Sequence, residues 1–141
     1  MGAWYWIGVS VGIGTAIGLL QAGFWDVAKV TVPLEAAALG FAAGWGISAW
    51  QAGGWADRIG AVAGVLLGLA GAIPLVVGAL RRGGTRDGLM IYLGGAAVVL
   101  AGIAFIPAAG YLEAVALPVL ALRIRRTQPE RYAGLRTLAK D

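Results

Sequence analysis

The sequence contains no cysteine and no histidine. Without thiolate or imidazole ligands, structural zinc, iron–sulfur clusters, haem with such ligation and cysteine nucleophiles are excluded, and so are disulfides. Asparagine is also missing, and serine occurs only at Ser10 and Ser48. A serine triad lacks the histidine it needs. Charge is scarce as well: 13% of residues are Asp, Glu, Lys or Arg, where a soluble domain carries roughly a quarter. Such a chain cannot cover its own surface with polar groups. Most enzyme classes are thereby excluded, a membrane-embedded enzyme acting on lipid ranks below the non-enzymatic readings for want of polar residues, and no cofactor or metal is expected.

What is present is apolar and small. Of the 141 residues, 60% are hydrophobic and 24 are glycine, with a mean hydropathy of +0.81. The expectation is an all-α integral membrane protein. Met1 to Trp6 carries no Lys or Arg, so no signal-peptide n-region is expected there.

Apolar runs lie at about 7 to 24, 31 to 50, 59 to 80 and 89 to 122. Each of the first three matches a single span, since about 20 residues at 1.5 Å each cross a hydrocarbon core of roughly 30 Å. The fourth is too long for one span, and Pro107 and Gly110 lie near its middle. A missing N–H and a free backbone permit a reversal there, which divides the run into 89 to 106 and 109 to 123. The predicted architecture is five transmembrane helices, or four plus a re-entrant hairpin, over residues 1 to 122, followed by a basic cytoplasmic tail at 123 to 141.

The cations favour five crossings. With four, seven Lys and Arg fall on one side and four on the other; with five, ten gather on one side and only Arg58 lies opposite. Positive residues are retained in the cytoplasm, so the N-terminus is expected outside and the C-terminus inside a cytoplasmic (inner) membrane. Trp4, Tyr5, Trp6, Trp50, Trp55 and Tyr111 then fall at the outer interface and Phe24, Trp25 and Tyr92 at the inner one, the depth that suits amphipathic rings. Trp45 lies within a span, facing a neighbouring helix or lipid.

Gly60, Gly64, Gly68 and Ala72 recur every four residues on one stripe of the third span, and Gly8 with Gly12, Gly14 with Gly18 and Gly40 with Gly44 repeat the spacing elsewhere. Small residues let helices approach closely in lipid, so the stripe is expected to pack helix against helix, although so glycine-rich a chain produces some pairs by chance. Two weak self-similarities, Gln21, Ala22, Gly23 and Trp25 with Gln51, Ala52, Gly53 and Trp55, and Val65, Leu67, Ile73 and Pro74 with Val98, Leu100, Ile106 and Pro107, leave open an internal duplication of the kind found in transporters, although so biased a composition makes chance matches common.

Two carboxylates interrupt apolar spans, Glu35 and Glu113. A charge in hydrocarbon costs at least ~2.5 kcal/mol and is a candidate for binding an ion or solute. Each also falls in the first turns of its predicted helix, where the dipole favours an anion, and taken singly this structural reading weighs slightly more. Placed near opposite faces, the two are not expected to form one acid–base pair. Gln21 and Gln51 read as interfacial hydrogen-bonding groups, and Pro74 and Pro118 as ordinary membrane-helix prolines. In the tail, Thr127 and Glu130 form a capping box with Pro129 in the first turn, predicting a short helix from about 128 to 140. Its Arg131 and Arg136, with Arg123, Arg125 and Arg126, are candidate contacts for lipid headgroups or a partner. Nucleic acid is not expected. Two functions remain close: a homo-oligomeric transport or channel-like protein using the intramembrane carboxylates, and a non-catalytic structural or accessory subunit of a larger membrane complex.

Overall fold

The computed structural model describes residues 2–24, 29, 31–51 and 53–138, with side chains up to Ile124. Among the described residues five helices follow one another: α1 (Ala3–Phe24), α2 (Val32–Trp50), α3 (Trp55–Arg81), α4 (Arg86–Ile103) and α5 (Ala109–Leu138). The first four are long and apolar enough to cross a membrane, and the architecture is that of an all-helical membrane protein. In α5 only the stretch from Ala109 to Leu122 is apolar, about 21 Å of helix.

Local chemistry sets the helix ends. Pro33 occupies the first turn of α2, where its missing N–H costs no helical bond. At the start of α3 the Gly54 N–H donates to Asp57 Oδ2 at 3.1 Å, half of a capping box, since Gly54 has no side chain to complete the other half. Thr85 caps α4, its Oγ1 accepting from the Gly88 N–H at 3.3 Å. These polar caps start α3 and α4 three to four residues before the apolar runs begin.

The last apolar stretch is broken between Ile103 and Ala109. Pro107 disfavours helical backbone at Ile106 before it. The residue in left-handed conformation is Ala108, at φ 66°, not Gly110, which lies inside α5. Two tyrosines hold the reversal to the start of α1: the Tyr5 hydroxyl donates to the Phe105 carbonyl at 2.9 Å, and the Tyr111 hydroxyl donates to the Trp4 carbonyl at 2.8 Å. Farther on, α5 continues through Thr127 and Pro129, so the tail helix expected to start at 128 is instead the end of α5. Extending an existing helix avoids the cost of a new nucleus, and a proline within it removes one backbone bond.

Helix α1 is the centre of the bundle. It touches all four other helices, and 72% of its most apolar 18 residues are buried against 11% for α4. Successive contacts fix the directions. Ile7, Val11 and Thr15 of α1 meet Gly60, Gly64 and Gly68 in rising order, so α1 and α3 run parallel. Gly12 and Gly23 of α1 meet Ala104 and Met90 of α4 in falling order, so α4 runs antiparallel to α1. Helix α5 starts beside Gly8 and reaches Gly71 of α3 at Leu117, and therefore turns back along α1. The apolar core joins Ala16, Leu19 and Ala22 of α1 to Val32, Ala36, Val65, Leu69, Ala72, Val76, Leu93 and Ala97.

Candidate functional site

Glu113 and Glu35 occupy contrasting environments. Glu35 is exposed in the first turn of α2, its backbone N–H bonded to the Thr31 carbonyl at 3.0 Å. Glu113 is buried, with 8% of its surface exposed. Neither of its carboxylate oxygens has a hydrogen-bond partner among the described residues. Helices α2 and α5 do not touch, so the two acids are not brought together.

Glycine makes the room for Glu113. A β-carbon on Gly12 would come within 3.1 Å of Glu113 Oε2, 2.6 Å of the Ala104 β-carbon and 2.8 Å of Gly110 Cα. The acid therefore lies against bare α1 backbone, among apolar groups of α4 and α5. Gly12 is the tenth of the 22 residues in α1, which puts the carboxylate beside the middle of the central helix. Next to it, Gly110 lies on the Gly8 carbonyl and the Tyr111 ring covers Gly8. Leaving a buried polar group unpaired costs about 1–3 kcal/mol, and more for a charged one. A proton or a bound cation lowers that cost. Among the described residues no group of three or more acidic side chains could hold a metal ion.

The stripe on α3 faces α1. Gly64 lies on the carbonyl of Val11 and Gly68 on that of Thr15, while Gly14 and Gly18 of α1 lie reciprocally on the carbonyls of Ala61 and Val65. Gly60 is looser, with the Val11 side chain 3.3 Å from where its β-carbon would be, and Ala72 is fully buried. Arg123 is exposed where the apolar part of α5 ends. The side chains of Arg125, Arg126, Arg131 and Arg136, and all of Trp25, lie outside the described residues.

A polar cluster that the sequence did not single out lies at the end of the bundle where α1 begins. Asp57 is buried at 4% exposure, and its neighbour Arg58 is stacked over Trp45 and Trp55, 4.5 and 4.9 Å from the ring centroids. Arg58 Nε donates to Ser48 Oγ at 3.2 Å, and Ser48 Oγ donates to the Trp45 carbonyl at 2.9 Å. Trp4 meets Tyr111, Tyr5 meets Trp6, and Trp6 meets Trp50, with centroids 5.9, 5.0 and 5.7 Å apart. The available signal was an acid at the third position of a helix behind two glycines. Buried Gln21, whose amide atoms have no partner among the described residues, lies toward the other end of α1.

Comparison with known proteins finds no matching family model, no curated relative and no similar solved structure.

Proposed function

We propose that this small membrane protein is a non-enzymatic transport or channel-like protein in which Glu113 binds the ion or solute that moves. The carrying observation is a buried carboxylate beside the middle of the central helix with no donor to either oxygen among the described residues. An acid kept at that cost in an apolar seam is a binding group by default. Glu35, exposed in a first turn, fits contact with headgroups and is the weaker member of the pair.

In this reading the chain crosses five times, with the N-terminus outside and the basic C-terminus cytoplasmic, as the ten-to-one division of cations favours. The protomer acts as a homo-oligomer. Helix α4 supports this, because it is the most exposed of the four apolar spans and its Gly95 and Gly102 have open space where a β-carbon would be. Lipid headgroups contact the arginines that follow Leu122. Labelling single cysteines at Trp4 and Asp141 from opposite faces of the membrane tests the threading.

Proteoliposomes carrying sodium- or proton-sensitive dyes test the function. Flux through the wild type that is lost in Glu113→Gln and kept in Glu35→Gln supports it; equal flux in Glu113→Gln overturns it. A wild type that conducts nothing and purifies with other membrane chains favours the accessory-subunit reading, for which the one-sided packing of α4 is the specific support.

A further inference from the structure

A second site lies apart from Glu113, at the end of the bundle where α1 begins and α2 passes into α3. A cleft of about 410 Å³ opens there, lined by Trp6, Ile7, Gln51, Gly54, Trp55 and Asp57 among others. We propose that this cleft binds a small organic ammonium group, paired with Asp57 and oriented by Gln51.

The chemistry follows from what lines the cleft. Asp57 is the one charged side chain among the described lining residues, and only 4% of its surface is exposed. Its hydrogen bond from Gly54 N–H comes from a neutral donor and not from a cation. The adjacent Arg58 is engaged elsewhere, bonded to Ser48 and stacked over Trp45 and Trp55. A buried carboxylate in that state favours a cationic partner and repels an anion.

Gly53 builds the site. A β-carbon there would overlap Asp57 Oδ2 and come within 3.1 Å of Gln51 Nε2, so the carboxylate and the carboxamide converge on one point that only glycine leaves open. Gln51 Nε2 is buried and has no partner among the described residues. The site thus offers a charged acceptor beside an unused donor.

A metal ion is a poor fit. Calcium and magnesium take six or more oxygens, and the lining supplies one carboxylate and one carboxamide in a largely apolar, aromatic wall. An ammonium group needs fewer partners, and an indole ring such as that of Trp6 favours it. A ligand bearing both an ammonium and an acceptor oxygen also satisfies Gln51. Two sources share that chemistry: an aminophospholipid headgroup and a free amino alcohol phosphate.

Native mass spectrometry of the full chain tests the proposal. One arm uses nanodiscs containing phosphatidylethanolamine or phosphatidylglycerol, and the other uses free O-phosphoethanolamine. Saturable binding of an ammonium compound, with phosphatidylglycerol excluded, is expected in at least one arm, and the arm identifies the source. Asp57→Asn retains an acceptor for the Gly54 N–H, so the cap survives, while binding weakens about tenfold or more. Gln51→Ala weakens it by less. An unchanged melting temperature separates lost binding from lost folding; if Asp57→Asn melts early, Gln51→Ala, which leaves the cap in place, is the deciding variant. The proposal is overturned if the wild type binds neither compound, or if the variants that stay folded bind as tightly as the wild type.

Discussion

Two glycine-lined seams meet on α1, and they are filled differently. Toward α3, the space left by missing β-carbons is taken by backbone: Gly64 and Gly68 lie on α1 carbonyls, and Gly14 and Gly18 on α3 carbonyls. Toward α5, part of the same kind of space is taken by the Glu113 carboxylate against Gly12. Between helices in lipid there is no water to expel, so close contact and polar satisfaction decide stability. The first seam makes the close contact, backbone against backbone. The second makes the contact and leaves a carboxylate without a donor among the described residues, which is the arrangement expected of a group retained for function at the expense of stability.

Substitutions separate the two seams, beginning with the largest effect. Gly64→Ile together with Gly68→Ile drives side chains into the Val11 and Thr15 carbonyls. Overpacking costs about 1–3 kcal/mol per site and more where backbone must move, so loss of monodisperse protein on size-exclusion chromatography is expected. A normal elution profile would show that this seam is not what holds α1 to α3. In the other seam the sign reverses: Glu113→Met, similar in size and without polar atoms, is expected to stabilise the protein by about 1–3 kcal/mol, read as a higher melting temperature in detergent. A lower one would mean that Glu113 has a partner in the folded state.

Smaller effects sharpen the contrast at the reversal. Tyr5→Phe and Tyr111→Phe each remove one hydrogen bond to α1 or to the α4–α5 turn, with an expected loss of about 0.5–1.5 kcal/mol apiece. Ala108→Gly relieves the left-handed backbone and is expected to be neutral to stabilising by up to about 1 kcal/mol, again by thermal melting. Glu35→Gln is expected to change stability by less than about 0.5 kcal/mol, as an exposed surface substitution does.

How much of this was legible in the sequence depends on whether a property was local. The break near Pro107 was, because a proline restricts itself and the residue before it. The apolar runs located the first four helices to within about four residues at each end, while α5 runs on from the expected end at 123 to Leu138; the caps that lengthen α3 and α4, Asp57 and Thr85, were missed as polar groups just outside those runs. Gly110, which helped mark the reversal in the sequence, lies inside α5, where its missing β-carbon serves the contact with Gly8. The two acids looked alike because each fell near the start of an apolar run. What separates them is a glycine a hundred residues upstream of Glu113, and no local pattern encodes that contact. Asp57 escaped notice for the same reason, since its burial depends on the room that Gly53 leaves and on the start of α1 closing over it.

The decisive measurement compares ion flux through wild-type and Glu113→Met protein in matched proteoliposomes. If the carboxylate is the binding group, the variant folds at least as well as the wild type and conducts nothing. If the variant conducts as the wild type does, Glu113 is a buried acid without a role in transport, and the proposed function fails with it.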